Sequence, residues 1–391
     1  MTRALQGVRI IEFGGYAAGP HIGKMLANFG ATVVHVESRA RPDGFRMQYP
    51  PYKDGKPGID RGGCFAFFND SKLGVTLDVK NPRGLELARR LAAGSDVLIE
   101  NMRPGVIARI GLGYEALKKQ NPRLIMLSTC NMGQTGPRAD TPGFGSQLTA
   151  LAGMCHLTGE PGGPPMLLYG PYIDFIASTV GAVAVLAALE RRHQTGEGAY
   201  IDISQYESGL MFLAGELLEY HTTGKVAERA GNDDPDAMPH GAFACGGGGW
   251  LAVSCWSAAE FARFAQCIGR AGLRREPQAI EEALSSWLRE RSADAAARAL
   301  QAVRVHAHAV ATVGDLFTDP QLAARAQWQR KVHPVIGEHS YCGPPFVLSE
   351  TPGEVTRPAP TLGADNEAVF RNLLGLTAEE YAACEAAGAF A

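Results

Sequence analysis

The sequence predicts an α/β protein with a mostly parallel sheet and a smaller α+β domain. Over the first 130 residues, short apolar runs typical of strands alternate with helical patterns, and this alternation is typical of a parallel sheet covered by helices. The pattern changes near residue 222, where a polar loop precedes a hairpin-like segment and a helical one. The smaller domain is therefore predicted at about 225–325.

The first βαβ unit lies at the start of the chain. An apolar run at Val8–Phe13 ends at two glycines, a helical pattern extends from Ala18 to about Phe29, and the β-branched run Thr32–Glu37 follows Gly30. Parallel strands need a crossover of this kind.

The same alternation continues to residue 220. Asn81 is an N-cap with proline at the first helical position, and Gly94 ends that helix. The remaining patterns predict strands at 75–79, 96–100, 124–128 and 200–204, and helices at 114–120, 174–193 and 205–220.

Sequence patterns also predict elements in the smaller domain and in the C-terminal segment. Gly246–Gly249 is typical of a hairpin turn before a strand at Trp250–Cys255, and the composition of 279–303 is helical. From Val332 proline and glycine are frequent, so an extended segment is expected before a final helix that begins at Thr377.

Composition excludes several classes of protein. The chain has 391 residues with a formal net charge of −3, which disfavours a nucleic-acid or anionic-membrane surface. Eight cysteines without a CxxC pair are expected to be reduced, in a cytoplasmic protein. The apolar stretch Ala177–Leu189 is too short to span a bilayer and predicts a buried helix. We expect no metal site and no secretory signal.

The first turn is a possible nucleotide cradle, because helix N-termini bind phosphate. The turn departs from GxGxxG, since Tyr16 replaces the second glycine. Glu37 would suit a ribose hydroxyl in such a site. A tight turn that packs a helix on the sheet remains the alternative.

Asp174 is the candidate nucleophile. It stands just before an almost uncharged helical segment, where it is either an N-cap or a reactive carboxylate. The helix dipole predicts that this carboxylate is ionised at neutral pH.

Motifs along nearly the whole chain resemble the class III CoA-transferase family, the CaiB/BaiF type to which formyl-CoA transferase belongs. Asp174 falls on the catalytic aspartate of that family. The other matching motifs are Ala18-Gly19-Pro20, Gly30-Ala31 and Val36-Glu37, Leu77-Asp78-Val79-Lys80, Glu100–Gly105, Gly133–Pro137, Asp319–Arg325 and Ala359–Gly363.

The resemblance implies a fold and a reaction. It implies a Rossmann-like large domain formed by residues 1–224 and 326–391, the small domain at 225–325, and two chains interlocked as a homodimer. It also implies transfer of CoA from an acyl-CoA to a carboxylic acid through an aspartyl anhydride and an aspartyl-CoA thioester. Coenzyme A is then substrate and product, with no tightly bound cofactor.

The resemblance also implies which residues bind CoA. Backbone amides and basic side chains suit its phosphates. The matching positions are Ala17, Ala18, Arg39, Leu77, Asp78, Val79, Lys80, Asn101, Met102, Arg103 and Arg109.

Departures from the family pattern leave alternatives open. Ala17 replaces a glutamine of some members, Gly145 replaces an acidic residue of many, and no glycine-rich lid is evident. Arg46, Arg138 and residues 237–242 could meet an acceptor carboxylate but are expected at the surface.

The alternative functions are intramolecular CoA transfer on a dicarboxylic acid, a 2-methylacyl-CoA racemase, and a non-catalytic subunit of a heteromeric transferase. Racemase activity is disfavoured because Phe144-Gly145-Ser146 offers neither histidine nor aspartate.

Overall fold

A computed structural model describes residues 2–391, and the chain divides into two compact units. The first contains the residues up to 154 together with 167–218 and 323–391, and the second contains 155–166 and 219–322. The predicted small domain at 225–325 thus lies almost entirely within the second unit. After residue 322 the chain returns to the first unit.

A six-stranded sheet in the order β3-β2-β1-β4-β5-β6 forms the centre of the first unit. All five pairings are parallel, so the predicted α/β class is confirmed. The order reverses between β1 and β4, and ligands of open α/β sheets bind at the carboxyl ends of the strands beside such a point. The strands are β1 (Arg9–Phe13), β2 (Thr32–Glu37), β3 (Leu73–Thr76), β4 (Val97–Glu100), β5 (Ile125–Cys130) and β6 (Ala199–Ser204).

Helices cover both faces of this sheet, because alternate strand residues point to opposite sides. Ile11 and Leu98 belong to one apolar cluster, whereas Ile10 and Val97 belong to the other. The helices in this part of the chain are α1 (Ala18–Asn28), α2 (Gly63–Asn69), α3 (Pro82–Ala93), α4 (Val106–Arg109), α5 (Tyr114–Leu117), α6 (Gly145–Leu151) and α7 (Tyr172–Thr195).

Helix α7 is longer than the apolar stretch that predicted it. It packs on α1, β5 and β6 with one side, whereas Val183 and Leu186 on another side are exposed. The expectation that this segment is too short to span a bilayer is wrong, since among the described residues α7 alone is long and apolar enough to do so. The expectation of a buried helix holds for one face only.

The predicted helix at 205–220 is interrupted. It consists of α8 (Gln205–Leu210), a 3-10 turn at Met211–Leu213 and α9 (Ala214–Thr223).

The second unit contains a three-stranded antiparallel sheet in the order β7-β8-β9, with the predicted turn at Gly246–Gly249 between the first two strands. The helical stretch at 279–303 is two helices, separated at Arg289–Ser292. The elements are β7 (His240–Ala244), β8 (Trp250–Ser254), α10 (Ala258–Cys267), α11 (Pro277–Leu288), α12 (Ala293–Ala302), β9 (His306–Ala309), α13 (Val313–Leu316) and α14 (Pro320–Ala324).

The last segment is more regular than expected. The antiparallel pair β10 (Trp328–His333) and β11 (Gly337–Cys342) stands where an extended chain was predicted. A π-helix at Ala368–Leu373 and α15 (Ala378–Ala386) follow. Val369 and Phe370 fill one face of the large sheet, so this segment completes the core of the first unit.

Candidate functional site

A cavity of about 300 Å³ lies where β1, β4, β5 and β6 end, beside the reversal in strand order. Its wall combines the segments that follow these four strands with the first turn of α7. The lining residues are Tyr16, Ala17, Ala18, Asn101, Met102, Arg103, Pro104, Cys130, Asn131, Ala139, Asp140, Thr141, Pro142, Gly143, Phe144, Gly145, Asp174 and Gln205.

The turn between β1 and α1 is held from two neighbouring loops. The amide group of Asn101 donates to Gly15 O (2.8 Å) and accepts from Gly15 N–H (3.1 Å). The carboxylate of Asp43 accepts from Tyr16 N–H (3.0 Å). Tyr16 has φ 62°, a left-handed conformation that is uncommon for residues other than glycine. Hydrogen bonds with Asp43 and Asn101 therefore stabilise this turn, in which Tyr16 adopts the left-handed conformation that a glycine would adopt in a GxGxxG motif.

The first turn of α1 is also tied to two other elements. Lys72 Nζ donates to Pro20 O (2.7 Å). Ser178, which is fully buried, places its hydroxyl 2.6 Å from Asp174 O and 2.9 Å from Ala18 O. This hydroxyl connects the predicted CoA-binding turn to the helix that carries the candidate nucleophile.

Replacing Ser178 with alanine should lower kcat about fivefold, the value of one hydrogen bond of about 1 kcal/mol, because the first turns of α1 and α7 lose their direct link. Thr179→Ala is the matched control. Its hydroxyl also bonds the carbonyl four residues back, that of Phe175, but it is exposed. Steady-state kinetics of both variants test the link, and equal losses in the two would contradict it.

Asp174 is the third residue of α7, and Pro171 rather than Asp174 is the N-cap. Among the described residues the Asp174 carboxylate has no hydrogen-bond or ion-pair partner, although it lines the cavity. Burial removes water from the charged form and raises the pKa of Asp174 to about 7. A pKa of about 7 leaves about half of the Asp174 carboxyl groups protonated at neutral pH, which contradicts the expected ionised carboxylate, because burial disfavours the charge.

The raised pKa of Asp174 predicts a pH dependence. Only the ionised carboxylate is a nucleophile, so kcat/KM should fall about tenfold per pH unit below the pKa of about 7. A profile from about pH 5.5 to 8.5 checks this. A profile that stays flat down to about pH 5.5 would contradict the raised pKa.

Gly145 stands directly against the Asp174 carboxylate. A Cβ at this position would lie 2.5 Å from Asp174 Oδ2 and 2.6 Å from Pro171 Cβ. Real Cβ atoms do not approach other atoms so closely. The glycine found where many family members have an acidic residue therefore leaves space for the Asp174 carboxylate.

The structure brings six of the predicted site residues to the cavity and leaves the others outside it. Those at the cavity are Ala17, Ala18, Asn101, Met102, Arg103 and Asp174. Arg39, Leu77–Lys80 and Arg109 are not part of its wall. They lie after the carboxyl ends of β2, β3 and β4, along the same edge of the sheet.

Residues 77–80 follow β3 rather than belonging to it, so the predicted strand at 75–79 is shifted. The Leu77 side chain is buried in the core. Three backbone amides here are already bonded, those of Leu77 to Glu37 O, of Asp78 to Ala389 O and of Lys80 to Asp78 Oδ1. Any contact of this segment with a phosphate must therefore use side chains or the Val79 amide.

Glu37 and Arg46 are not available to a ligand. Arg46 is fully buried, and its Nε and Nη2 donate to the Glu37 carboxylate at 2.8 and 2.7 Å. The expectation that Arg46 is a surface group is wrong, and so is the suggestion that Glu37 meets a ribose. The pair instead fixes the loop that carries Asp43, because Glu37 also accepts from Asp43 N–H (2.8 Å).

Several residues of the cavity wall were not predicted from the sequence. Cys130 is the last residue of β5, and Asn131 and Gln205 directly follow β5 and β6. The rule that parallel sheets bind ligands at the carboxyl ends of their strands would have pointed to them.

Comparisons with known proteins identify relatives over nearly the whole chain. The sequence profile of CoA-transferase family III matches residues 5–366. Succinyl-CoA–D-citramalate CoA-transferase of Chloroflexus aurantiacus is 32% identical over 98% of this chain and 97% of that protein. The beta subunit of succinyl-CoA–L-malate CoA-transferase from the same organism is 35% identical over 97% of this chain and 96% of its own.

A solved structure has the same fold. The crystal structure of a CaiB/BaiF family protein from Brucella suis superimposes with a TM-score of 0.87 and 28% identity, covering 96% of this chain and all of that one. The match over nearly the full length, together with an aspartate in a cavity at the reversal of the sheet, leads to one conclusion. The chain belongs to CoA-transferase family III and is a CoA-transferase.

Proposed function

We propose that this enzyme transfers CoA from succinyl-CoA, or a similar acyl-CoA, to a small dicarboxylic or hydroxy acid, with Asp174 as the nucleophile. The observation that carries the proposal is the Asp174 carboxylate, which lines the cavity without a protein partner. The donor is suggested by the relatives, whose names specify succinyl-CoA.

The first half of the reaction loads CoA onto the enzyme. An Asp174 carboxylate oxygen attacks the thioester carbonyl, the C–S bond breaks, and the product is a mixed anhydride plus CoA thiolate. The thiolate then attacks the Asp174 carbonyl carbon. The donor acid leaves as its carboxylate, and Asp174 carries CoA as a thioester.

The second half reverses these steps with the acceptor. The acceptor carboxylate attacks the aspartyl thioester and releases CoA thiolate, which leaves a new anhydride. The thiolate attacks the acyl carbon of the acceptor, and the Asp174 carboxylate is regenerated. Each step exchanges one acyl bond for another, so the enzyme divides a difficult exchange into easier ones.

The surroundings of Asp174 suit this chemistry. A carboxylate with few hydrogen bonds and little water around it is a stronger nucleophile than a hydrated one. The rival nucleophile in the wall is weak, since burial raises the pKa of the Cys130 thiol to about 11 and keeps it protonated at neutral pH.

The racemase alternative gains no support from the cavity. Proton abstraction and return at a carbon next to the thioester need an acid–base pair, commonly with histidine. The part of the chain that the structure describes places no histidine in the cavity wall.

The proposed CoA lies along the carboxyl edge of the sheet. The amides of Ala18 and Gly19 have no acceptor within α1, as is usual for a first helical turn. Arg39 follows β2, whereas Arg103 and Arg109 follow β4, and these two strands lie two spacings apart, about 10 Å. An elongated ligand with several phosphates fits such a row of cations.

We also propose that the enzyme works as a homodimer. Exposed apolar side chains on α7 and in the segment after α8 support this, namely Val183, Leu186, Met211, Phe212 and Leu217. An apolar surface of this kind is typical of an interface. A second copy, or the partner of a heteromeric transferase, would cover it.

The experiment incubates the purified chain alone with succinyl-CoA and a panel of acids (citramalate, malate, glutarate and aromatic acids). Mass spectrometry identifies the new thioester. Transfer to a dicarboxylic or hydroxy acid is the expected result, and light scattering on the same sample should give the mass of a dimer.

Other outcomes would contradict the proposal. Absence of transfer with every acid would favour a subunit that needs a different partner chain. Isomerisation of a dicarboxylyl-CoA without any free acceptor would favour intramolecular transfer.

A further inference from the structure

Gln205 is a buried polar side chain in the cavity wall that the mechanism above does not use. It is the first residue of α8, directly after β6, and only 5% of its surface is exposed. Over residues 2–391 its side-chain amide has no hydrogen-bond partner. Its amide atoms are not sealed in the core, so a molecule in the cavity can reach them.

Other polar side chains of the cavity wall already form hydrogen bonds within the protein. The amide of Asn101 bonds Gly15, and the amide of Asn131 donates to Gly143 O at 3.1 Å. The Tyr16 hydroxyl donates to Gln48 Oε1 at 2.7 Å.

The remaining polar members of the wall differ from Gln205 in exposure. Arg103, Asp140 and Thr141 are exposed, so water can satisfy them. Apart from Asp174 itself, Gln205 is thus the buried group whose hydrogen-bonding capacity is left for a molecule in the cavity.

The position of Gln205 is tied to that of the nucleophile. Helix α8 packs against α7 so closely that a Cβ at Gly209 would lie 2.7 Å from Ile173 Cδ1. Ile173 precedes Asp174 in the chain, and both Gln205 and Asp174 line the same cavity. A substrate bonded to Asp174 would therefore lie in the cavity that Gln205 borders.

We propose that Gln205 contacts the acyl group and selects acids that carry a second polar substituent, a carboxylate or a hydroxyl, over unsubstituted acids. The inference rests on the proposed function and specifies its substrate class. The Nε2 group donates to a carboxylate or hydroxyl. An apolar acyl chain leaves the buried amide unpaired, and a site built to hydrogen-bond a substrate discriminates against analogues that lack the group.

The test compares two donors of equal chain length, succinyl-CoA and butyryl-CoA, in which a methyl group replaces the distal carboxylate. The measured quantity is the ratio of their kcat/KM values. A hydrogen bond to a charged group is worth about 1.5–3 kcal/mol, so Gln205→Met should lower the ratio about 10- to 100-fold, mainly through slower use of succinyl-CoA.

Two further variants sharpen the test. Gln205→Glu keeps the shape but repels the distal carboxylate of succinyl-CoA, so it should also lower the ratio of succinyl-CoA to butyryl-CoA use. Gln194→Met changes an exposed glutamine at the end of α7 and should leave the ratio at the wild-type value.

The outcomes separate the two levels of the proposal. A wild-type ratio in active Gln205→Met and Gln205→Glu enzymes would overturn the role of Gln205 and leave the proposed function intact. Failure of the wild-type enzyme to transfer CoA from either donor to any acid would instead contradict the proposed function.

Discussion

Replacing Asp174 with asparagine should reduce CoA transfer by about 10⁴-fold or more, the scale found when a covalent nucleophile is removed. Asparagine keeps the shape of the side chain but cannot form the anhydride. Binding of CoA should survive, because its proposed contacts lie on the sheet edge and the first turn of α1. Activity assays and calorimetric titration with CoA measure the two effects.

Stability of the same variant provides the control for folding. In the wild-type protein burial raises the pKa of Asp174 to about 7, against about 4 for an aspartate in an unfolded chain. The folded state therefore holds a proton that the unfolded state releases, and stability is lost as the pH rises from about 4 to about 7. The full cost at about pH 8 is at most about 4 kcal/mol, reduced by solvent in the open cavity.

Asp174→Asn removes this cost. It should raise the thermal midpoint at about pH 8 and raise it less at about pH 5. An inactive variant that is also destabilised at both pH values would indicate misfolding rather than the loss of a nucleophile. Retained transfer activity would contradict the role of Asp174.

Replacing Gly145 with alanine should lower kcat about 100-fold, because a displacement of the reacting group of about 1 Å has that effect. The new methyl group would lie 2.5 Å from Asp174 Oδ2 and 2.6 Å from Pro171 Cβ, so the carboxylate must move. The backbone of Gly145 is not left-handed, so alanine brings no backbone strain there. Steady-state kinetics with succinyl-CoA measure the change.

Gly272→Ala is the matched control, since nothing lies within 4 Å of a Cβ at that position and its φ is ordinary. It should have wild-type kcat. If Gly145→Ala retained wild-type kcat as well, the close packing of Gly145 on the nucleophile would have no role in catalysis.

The fold was predictable from local patterns to a large extent. The β1–α1–β2 unit follows from two apolar runs with glycines between them, and the N-cap at Asn81 is confirmed by its hydrogen bond to Arg83 N–H. The hairpin of β10 and β11 was missed. Its first strand contains Arg330 and Lys331 in sequence, so it lacks the regular alternation that indicates a strand.

The candidate site was predictable in part. Asp174 stands at the start of an almost uncharged helical segment, and this pattern together with the family motifs identified it. Its pKa was not predictable, because desolvation depends on what surrounds the carboxylate in three dimensions. The burial of Arg46 against Glu37 was not predicted for the same reason, since only the tertiary structure brings the Glu37 carboxylate to the buried Arg46 guanidinium.

The wall contributed by β5 and β6 was the least predictable part. Gly145 and Gln205 carry no motif that marks chemistry, and their relevance comes from contact with Asp174 and from a missing hydrogen-bond partner. Both properties arise when α6, α7 and α8 pack together.

Chemical trapping of the intermediate tests the central claim most directly. The enzyme is incubated with succinyl-CoA and hydroxylamine, which attacks acyl anhydrides and thioesters, and the digested protein is mapped by mass spectrometry. We predict a hydroxamate on Asp174, which is absent without acyl-CoA and absent in Asp174→Asn. Modification of another residue instead, or continued turnover with no labelled residue, would contradict the account.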